Sequence, residues 1–164
     1  ASAWDRRKGL SYFAELSRMV RGDEAIVIVG LTEKQKRELP EGIIGITRTD
    51  SVFELAQIYS AADVFVNPTL EDNFPTTNLE SLACGTPVIT FDTGGSVESI
   101  SEGTGLIVEK GCIGGLLEAI RIVKRGGKAC FEPNCTGRAE RMFDKGRRFL
   151  DYLALYCETE SSMS

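Results

Sequence analysis

The sequence predicts an α/β fold: a doubly wound parallel sheet with helices on both faces, closed by a long C-terminal helix. Three observations point there. Short β-branched runs alternate with segments of helical period along most of the chain. The first strand run, Ala25 to Val29, is continuously apolar rather than alternating, as expected of a strand covered on both faces. The segments between strands carry helix caps and glycine stops, and repeated βα units imply right-handed crossovers.

The elements follow in order. Leu10, Phe13, Ala14, Leu16 and Val20 set out a helix with one apolar face, stopped at Gly22. The strand at 25–29 ends on Gly30, Thr32 can cap a short polar helix ending before Pro40, and Ile43-Ile44-Gly45-Ile46 is the next strand. Ser51 and Glu54 have capping-box spacing for a helix running to about Ser60, and Val64-Phe65-Val66 fits a buried strand. Leu79, Leu82 and Ala83 repeat at helical spacing before Gly85, and Val88-Ile89-Thr90 begins another strand. A short helix from Ser96, a strand at Leu106-Ile107-Val108 and a helix from Ile113 to Val123 lead into a turn-rich stretch, Gly126 to Asn134. The last helix, Arg138 to Glu158, repeats apolar residues at Met142, Phe143, Leu150, Leu153, Ala154 and Cys157. These are expected to form one continuous stripe that the domain cannot fully cover, ahead of a frayed tail at 159–164.

At 164 residues the chain reads as a single domain spanning 1–164. A formal net charge of −5 argues against a general nucleic-acid or anionic-membrane binder. Five cysteines without CxxC spacing argue against a zinc site or disulfide framework and for a reducing, cytoplasmic compartment. Asn134-Cys135-Thr136, formally a glycosylation sequon, is then a chance match. The absence of histidine removes the commonest general base and the commonest metal ligand.

The stretch from Asn67 to Ile89 runs strand end, acidic loop, helix, glycine stop, strand. It places Glu71 and Asp72 on a loop at the carboxyl end of a strand, just before a helix opens. Ligands of parallel α/β sheets bind at that edge. The N–H groups of a helix start suit phosphate, and carboxylates beside them suit sugar hydroxyls.

Glu71-Asp72-Asn73-Phe74-Pro75 through Glu80, followed by Ala83-Cys84-Gly85-Thr86-Pro87-Val88-Ile89, resembles the donor-site signature of retaining glycosyltransferases of the GT-B fold. Within them it is similar to the family-four, or group 1, set that uses nucleotide-sugar donors. Lys8-Gly9-Leu10, Tyr59-Ser60-Ala61-Ala62-Asp63-Val64, Asp92-Thr93-Gly94-Gly95-Ser96-Val97-Glu98 and Gly103 to Val108 stand in the family's order. The resemblance covers most of residues 5 to 125. It implies a Rossmann-like C-terminal donor-binding domain, with the N-terminal acceptor domain of the same polypeptide missing and Ala1 to Trp4 as the tail of a truncated first strand.

The implied function is the donor half of a hexosyltransferase that moves a sugar from a nucleotide diphosphate-sugar to an acceptor with retention. This half alone would be inactive. No cofactor or metal is expected, and the full-length enzyme would be cytoplasmic, at most peripheral on the inner face of the membrane. The motif variant resembles those of cell-surface polysaccharide assembly enzymes. The rival readings are an isomerase like the UDP-N-acetylglucosamine 2-epimerases, which rely on histidine constellations, and a non-catalytic nucleotide-binding module.

Site residues follow from the same resemblance. Lys8 and Asp72 take the catalytic positions, with Arg6 or Arg7 helping Lys8 neutralise the diphosphate. The family commonly has an arginine where this chain has Ala3, and Glu and glycines where it has Asp72, Asn73 and Pro75. Asn73 and Phe74 lie in the donor loop, and the N–H groups of Thr76, Thr77 and Asn78 would meet phosphate because Pro75 has none. Glu80 would accept hydrogen bonds from the ribose hydroxyls. Thr47, Arg48 and Thr49 would pack on the base. Two local alternatives stand beside these roles: Glu80 has capping-box spacing with Thr77, and Gly94-Gly95 is explained equally by a plain turn.

Overall fold

The computed structural model describes residues 4–20 and 22–161. Its strands are β1 (Ile26–Val29), β2 (Ile43–Ile46), β3 (Phe65–Asn67), β4 (Val88–Phe91) and β5 (Gly105–Val108). Its helices are α1 (Leu10–Leu16), α2 (Glu33–Arg37), α3 (Val52–Ala61), α4 (Thr76–Ala83), α5 (Ile113–Gly126), α6 (Glu132–Phe143) and α7 (Lys145–Ser161). Three 3₁₀ turns, Arg6–Lys8, Gly94–Ser99 and Lys128–Cys130, complete the order. Every pairing is parallel. Strands β3, β4 and β5 lie side by side with β4 central, while β1 pairs with β2 in a separate sheet.

Strand β4 is buried along its whole length, because its alternate side chains enter two different cores. Ile89 and Phe91 join Phe13 and Leu16 of α1 and Leu116, Ala119 and Val123 of α5. Val88 faces the other way, onto Leu82 of α4 and Cys135 and Ala139 of α6. Helices therefore cover both faces, as the periodicity predicts, and the carboxyl ends of β3, β4 and β5 emerge between the two layers.

Four local expectations need correction. Helix α1 stops at Leu16 rather than running to Val20. The Ser17 hydroxyl donates to Ala14 O at 3.0 Å, and Arg18 and Met19 make i→i−3 bonds that tighten the chain out of the helix. The terminal helix is two helices. Asp144 adopts an extended conformation (ψ 123°) and its carboxylate accepts the Arg147 N–H at 2.9 Å, capping a new helix and breaking the old one. Helix α6 also begins inside the stretch read as turns, since Pro133 lies in its first turn, where its missing N–H costs nothing. Finally, β1 is not covered on both faces. Val27 and its register partner Ile44 are 44% and 54% exposed.

The expected apolar stripe is consequently split between two helices. Met142, Leu150 and Leu153 are exposed, joined by Phe149 and Tyr152, whereas Phe143 packs inward on Phe74 and beneath Arg138. The Cys157 side chain, Ala1 to Ala3 and Ser162 to Ser164 lie outside what the structure describes.

Candidate functional site

The site is assembled from the chain's first turn and the loops that leave β3 and β4. Asp5 caps the 3₁₀ turn, accepting the N–H groups of Arg7 and Lys8 at 2.9 and 3.2 Å. The Arg7 guanidinium folds back onto the same carboxylate at 2.9 and 3.2 Å. That contact holds the Asp5 carboxyl below the usual carboxylate range and raises Arg7 further. Arg7 is thus committed to its own turn.

Gly9 closes the turn with φ +74°, and a Cβ there would lie 2.1 Å from Pro68 O, so glycine is what lets the turn touch the loop after β3. Leu70 N–H and the Thr69 hydroxyl both donate to Arg7 O, at 2.6 and 3.3 Å. Docked this way, Lys8 Nζ comes within 3.9 Å of Asp72 Oδ2, with both side chains largely withdrawn from solvent. The two residues given catalytic positions by the sequence, 64 places apart, therefore meet.

The second Asp72 oxygen accepts the Phe74 N–H at 3.2 Å, which curls the loop. Behind it lies the glycine pair. Thr93 donates to Leu70 O at 3.0 Å and Gly95 N–H to Asp72 O at 3.2 Å. A Cβ on Gly94 would sit 2.2 Å from Asp72 O, and one on Gly95 1.7 Å from Asn73 O. A plain turn does not account for this pair. Two glycines are needed because the acidic loop's backbone rests directly on them. The Ser96 hydroxyl beside them is fully buried and, among the described residues, has no hydrogen-bond partner.

Helix α4 opens at Thr76 with Pro75 at its N-cap and no side-chain cap. Asn78 N–H turns back to Pro75 O at 3.1 Å, which leaves the N–H groups of Thr76 and Thr77 as those a helix start presents outward. The Asn78 side chain is buried and belongs to the fold: it accepts from Asn67 at 2.8 Å and donates to the Ser99 hydroxyl at 2.9 Å. Asn73 is exposed on the loop, and the Phe74 ring stacks edge-on against Phe143 at 6.0 Å.

Glu80 does not cap α4. Its Oε2 accepts a 3.1 Å hydrogen bond from the Tyr59 hydroxyl of α3. The carboxylate also lines a groove of about 420 Å³ with Leu79, Thr136, Glu140, Phe143 and Lys145. Burial first, and then the Glu80 charge, push the Tyr59 phenol well above its ordinary value. Arg6 lies apart, lining a second cavity with Trp4, Ser11 and Gln35. Thr47, Arg48 and Thr49 follow the end of β2, and no hydrogen bond or ion pair among the described residues links them to Lys8 or Asp72. Among the described residues no cluster of three or more acidic, cysteine or histidine side chains is arranged to hold a metal.

Sequence reasoning passed over Asp5 and Tyr59 as individual residues. The first had a readable signal, an Asp just ahead of a helical turn. The second entered only as the opening of the motif from Tyr59 to Val64, since a tyrosine on the apolar face of a helix otherwise reads as core.

Comparison with known proteins places this architecture. Residues 1–124 match the model of the glycosyl transferases group 1 family. A D-inositol 3-phosphate glycosyltransferase of Actinosynnema mirum is 30% identical over 102 residues, covering 54% of this chain and 24% of that enzyme. Among solved structures, sucrose-phosphate synthase from Thermosynechococcus elongatus superposes with a TM-score of 0.80 at 26% identity, over 96% of this chain and 44% of that one. Anabaena HepE in complex with UDP-glucose does so at 0.77 and 19% identity, over 98% of this chain and 47% of that one. The chain thus spans less than half the length of these relatives. With a family match across three quarters of its residues and a fold shared with these solved structures, the chain belongs to the group 1 glycosyl transferases.

Proposed function

We propose that this chain is the donor-binding half of a retaining hexosyltransferase, taking a nucleotide diphosphate-sugar and serving cell-surface polysaccharide or glycoconjugate synthesis. The observation that supports this most is the convergence of Lys8 and Asp72, 3.9 Å apart, with the start of α4 opening a few residues further on. A lysine ammonium and two outward N–H groups are the complement of a diphosphate leaving group. Lys8 would stabilise the negative charge that the diphosphate carries away as its bond to the sugar C1 breaks and the acceptor oxygen bonds to that carbon, and Asp72 would orient Lys8 and meet the sugar. Glu80 would accept the ribose hydroxyls. The same fold in HepE is solved with UDP and with UDP-glucose, which makes uridine nucleotides the first donors to try.

Transfer needs both reactants held in one geometry. The acceptor would be presented by an N-terminal domain of the same polypeptide, so the 164-residue chain should bind donor without turning it over. Calorimetric titration of this chain with UDP-, GDP-, ADP- and dTDP-sugars tests the reading. One nucleotide series should bind, and Lys8→Gln should weaken both the nucleotide and its sugar conjugate. Absence of binding by every series at millimolar concentration would sink it, as would sugar transfer by this chain alone.

A further inference from the structure

Tyr59 has a place in the fold that its role as a core aromatic does not explain. Its ring stands edge-on against Phe65 of β3 at 5.4 Å, and its backbone carbonyl accepts the buried Thr86 hydroxyl at 2.6 Å. Ring and backbone are therefore both pinned, by the strand and by the turn that follows α4. The side chain is nine-tenths buried, yet its hydroxyl reaches out to Glu80 Oε2 at 3.1 Å, on a residue that is itself exposed. A carboxylate on an exposed helix face ordinarily samples several rotamers. Here a rigid donor from a neighbouring helix selects one. Nothing else among the described residues holds Glu80: it makes no ion pair, and α4 has no side-chain cap for it to join.

We infer that Tyr59 is a positioning residue, whose hydroxyl fixes the Glu80 carboxylate so that it discriminates ribose from 2′-deoxyribose in the bound nucleotide. The inference rests on the reading of Glu80 as the ribose acceptor. An ionised carboxylate has lone pairs to spare on both oxygens, so a bond from Tyr59 leaves room for two sugar hydroxyls. What Tyr59 contributes is orientation: a carboxylate already aimed loses less freedom when the ribose arrives.

The test uses this chain with UDP, GDP and ADP, each against its 2′-deoxy counterpart, for the native sequence and for Tyr59→Phe. The native chain should prefer the ribonucleotide about tenfold or more, the worth of one bond to a charged acceptor. Y59F should bring that preference down to about threefold or less while leaving affinity for the deoxynucleotide unchanged. A purely structural tyrosine would weaken both nucleotides alike and keep their ratio. A native preference that survives Y59F intact overturns the inference and leaves the donor-site reading standing. A native chain that binds nucleotides without preferring ribose removes Glu80 from the sugar, and the inference falls with that assignment. Glu80→Gln, which keeps an oxygen for Tyr59 to donate to, should abolish the preference in either background.

Discussion

Replacing Asn78 by alanine separates fold from function at a residue the sequence motif places in the donor site. The side chain is completely buried and bridges three elements: it accepts from Asn67 at the end of β3 and donates to Ser99 in the turn after β4, from within α4. Alanine deletes both bonds and leaves the Asn67 amide facing a void. A polar group stranded in this way costs about 1–3 kcal/mol, and a net bond lost beside it about 1 more. The expected destabilisation is about 2–4 kcal/mol, a large share of the roughly 5–15 kcal/mol that holds a domain together. For a chain of this size that lowers Tm by about 4–16 °C. Urea unfolding and a thermal scan would measure it, with nucleotide affinity determined well below the transition. Affinity per folded molecule should stay within about twofold, since the Asn78 side chain points into the protein. A loss under about 1 kcal/mol, or a loss of affinity without a loss of stability, would refute the argument.

Other substitutions probe the site's supports. Gly95→Ala must displace the acidic loop, because the new methyl would stand 1.7 Å from Asn73 O; a cost of about 2–4 kcal/mol and a marked loss of nucleotide binding are expected together, and a native-like affinity would refute the close approach. Glu80→Ala caps nothing and gives up the Tyr59 bond, so it should cost about 0.5–1.5 kcal/mol of stability, while weakening nucleotide binding by roughly 1.5–3 kcal/mol for each ribose bond lost; normal affinity would return Glu80 to a structural role. The Tyr59 phenol is held above its ordinary value in the folded chain, so the unfolded chain ionises first. Its contribution is therefore intact below about pH 10 and is lost as pH rises beyond that. Chemical denaturation from pH 9 to 11 should show a fall in stability that is shallower in Tyr59→Phe; identical slopes would refute the assignment.

Much of the fold was legible because one periodicity or one cap decided it. The apolar run before Gly30, the Ile43–Ile46 strand and the Ser51 cap each appear within a residue or so of where the pattern puts them. The failures share a cause. Whether Asp144 continues a helix or starts one depends on a side chain turning to bond its own backbone, and hydrophobic period is silent on that. Pro133 reads as a stop until the helix start is known to lie immediately before it. At the site, Lys8 and Asp72 were recognisable from motif order, but their meeting depends on Gly9 and Gly94-Gly95 admitting backbone contact. The glycines were visible in the sequence; what they made room for was not. Tyr59 shows the converse, a residue whose composition signal is core and whose hydroxyl has a second task.

The division of the strands into a pair and a triplet has a consequence for how the molecule opens. Among the described residues β1 and β2 pair as strands only with each other, with one face partly wet at Val27 and Ile44, whereas β4 is flanked on both edges and sealed on both sides. The pair is seated on the shared core through Ile28 but leaves Val27 and Ile44 wet, so the segment from β1 to β2 should exchange its amides more readily than the sealed central strand. Protection at Ile26–Val29 and Ile43–Ile46 would then fall below that at Val88–Phe91. The first turn of the chain is moored to both units, through the Trp4 indole on Val29 O and through Arg7 O on Leu70. Each opening of the weaker unit would tug on the same turn that presents Lys8. Occupancy of the site would in return slow that opening, and exchange in β1 and β2 becomes a remote reporter of a ligand they never touch.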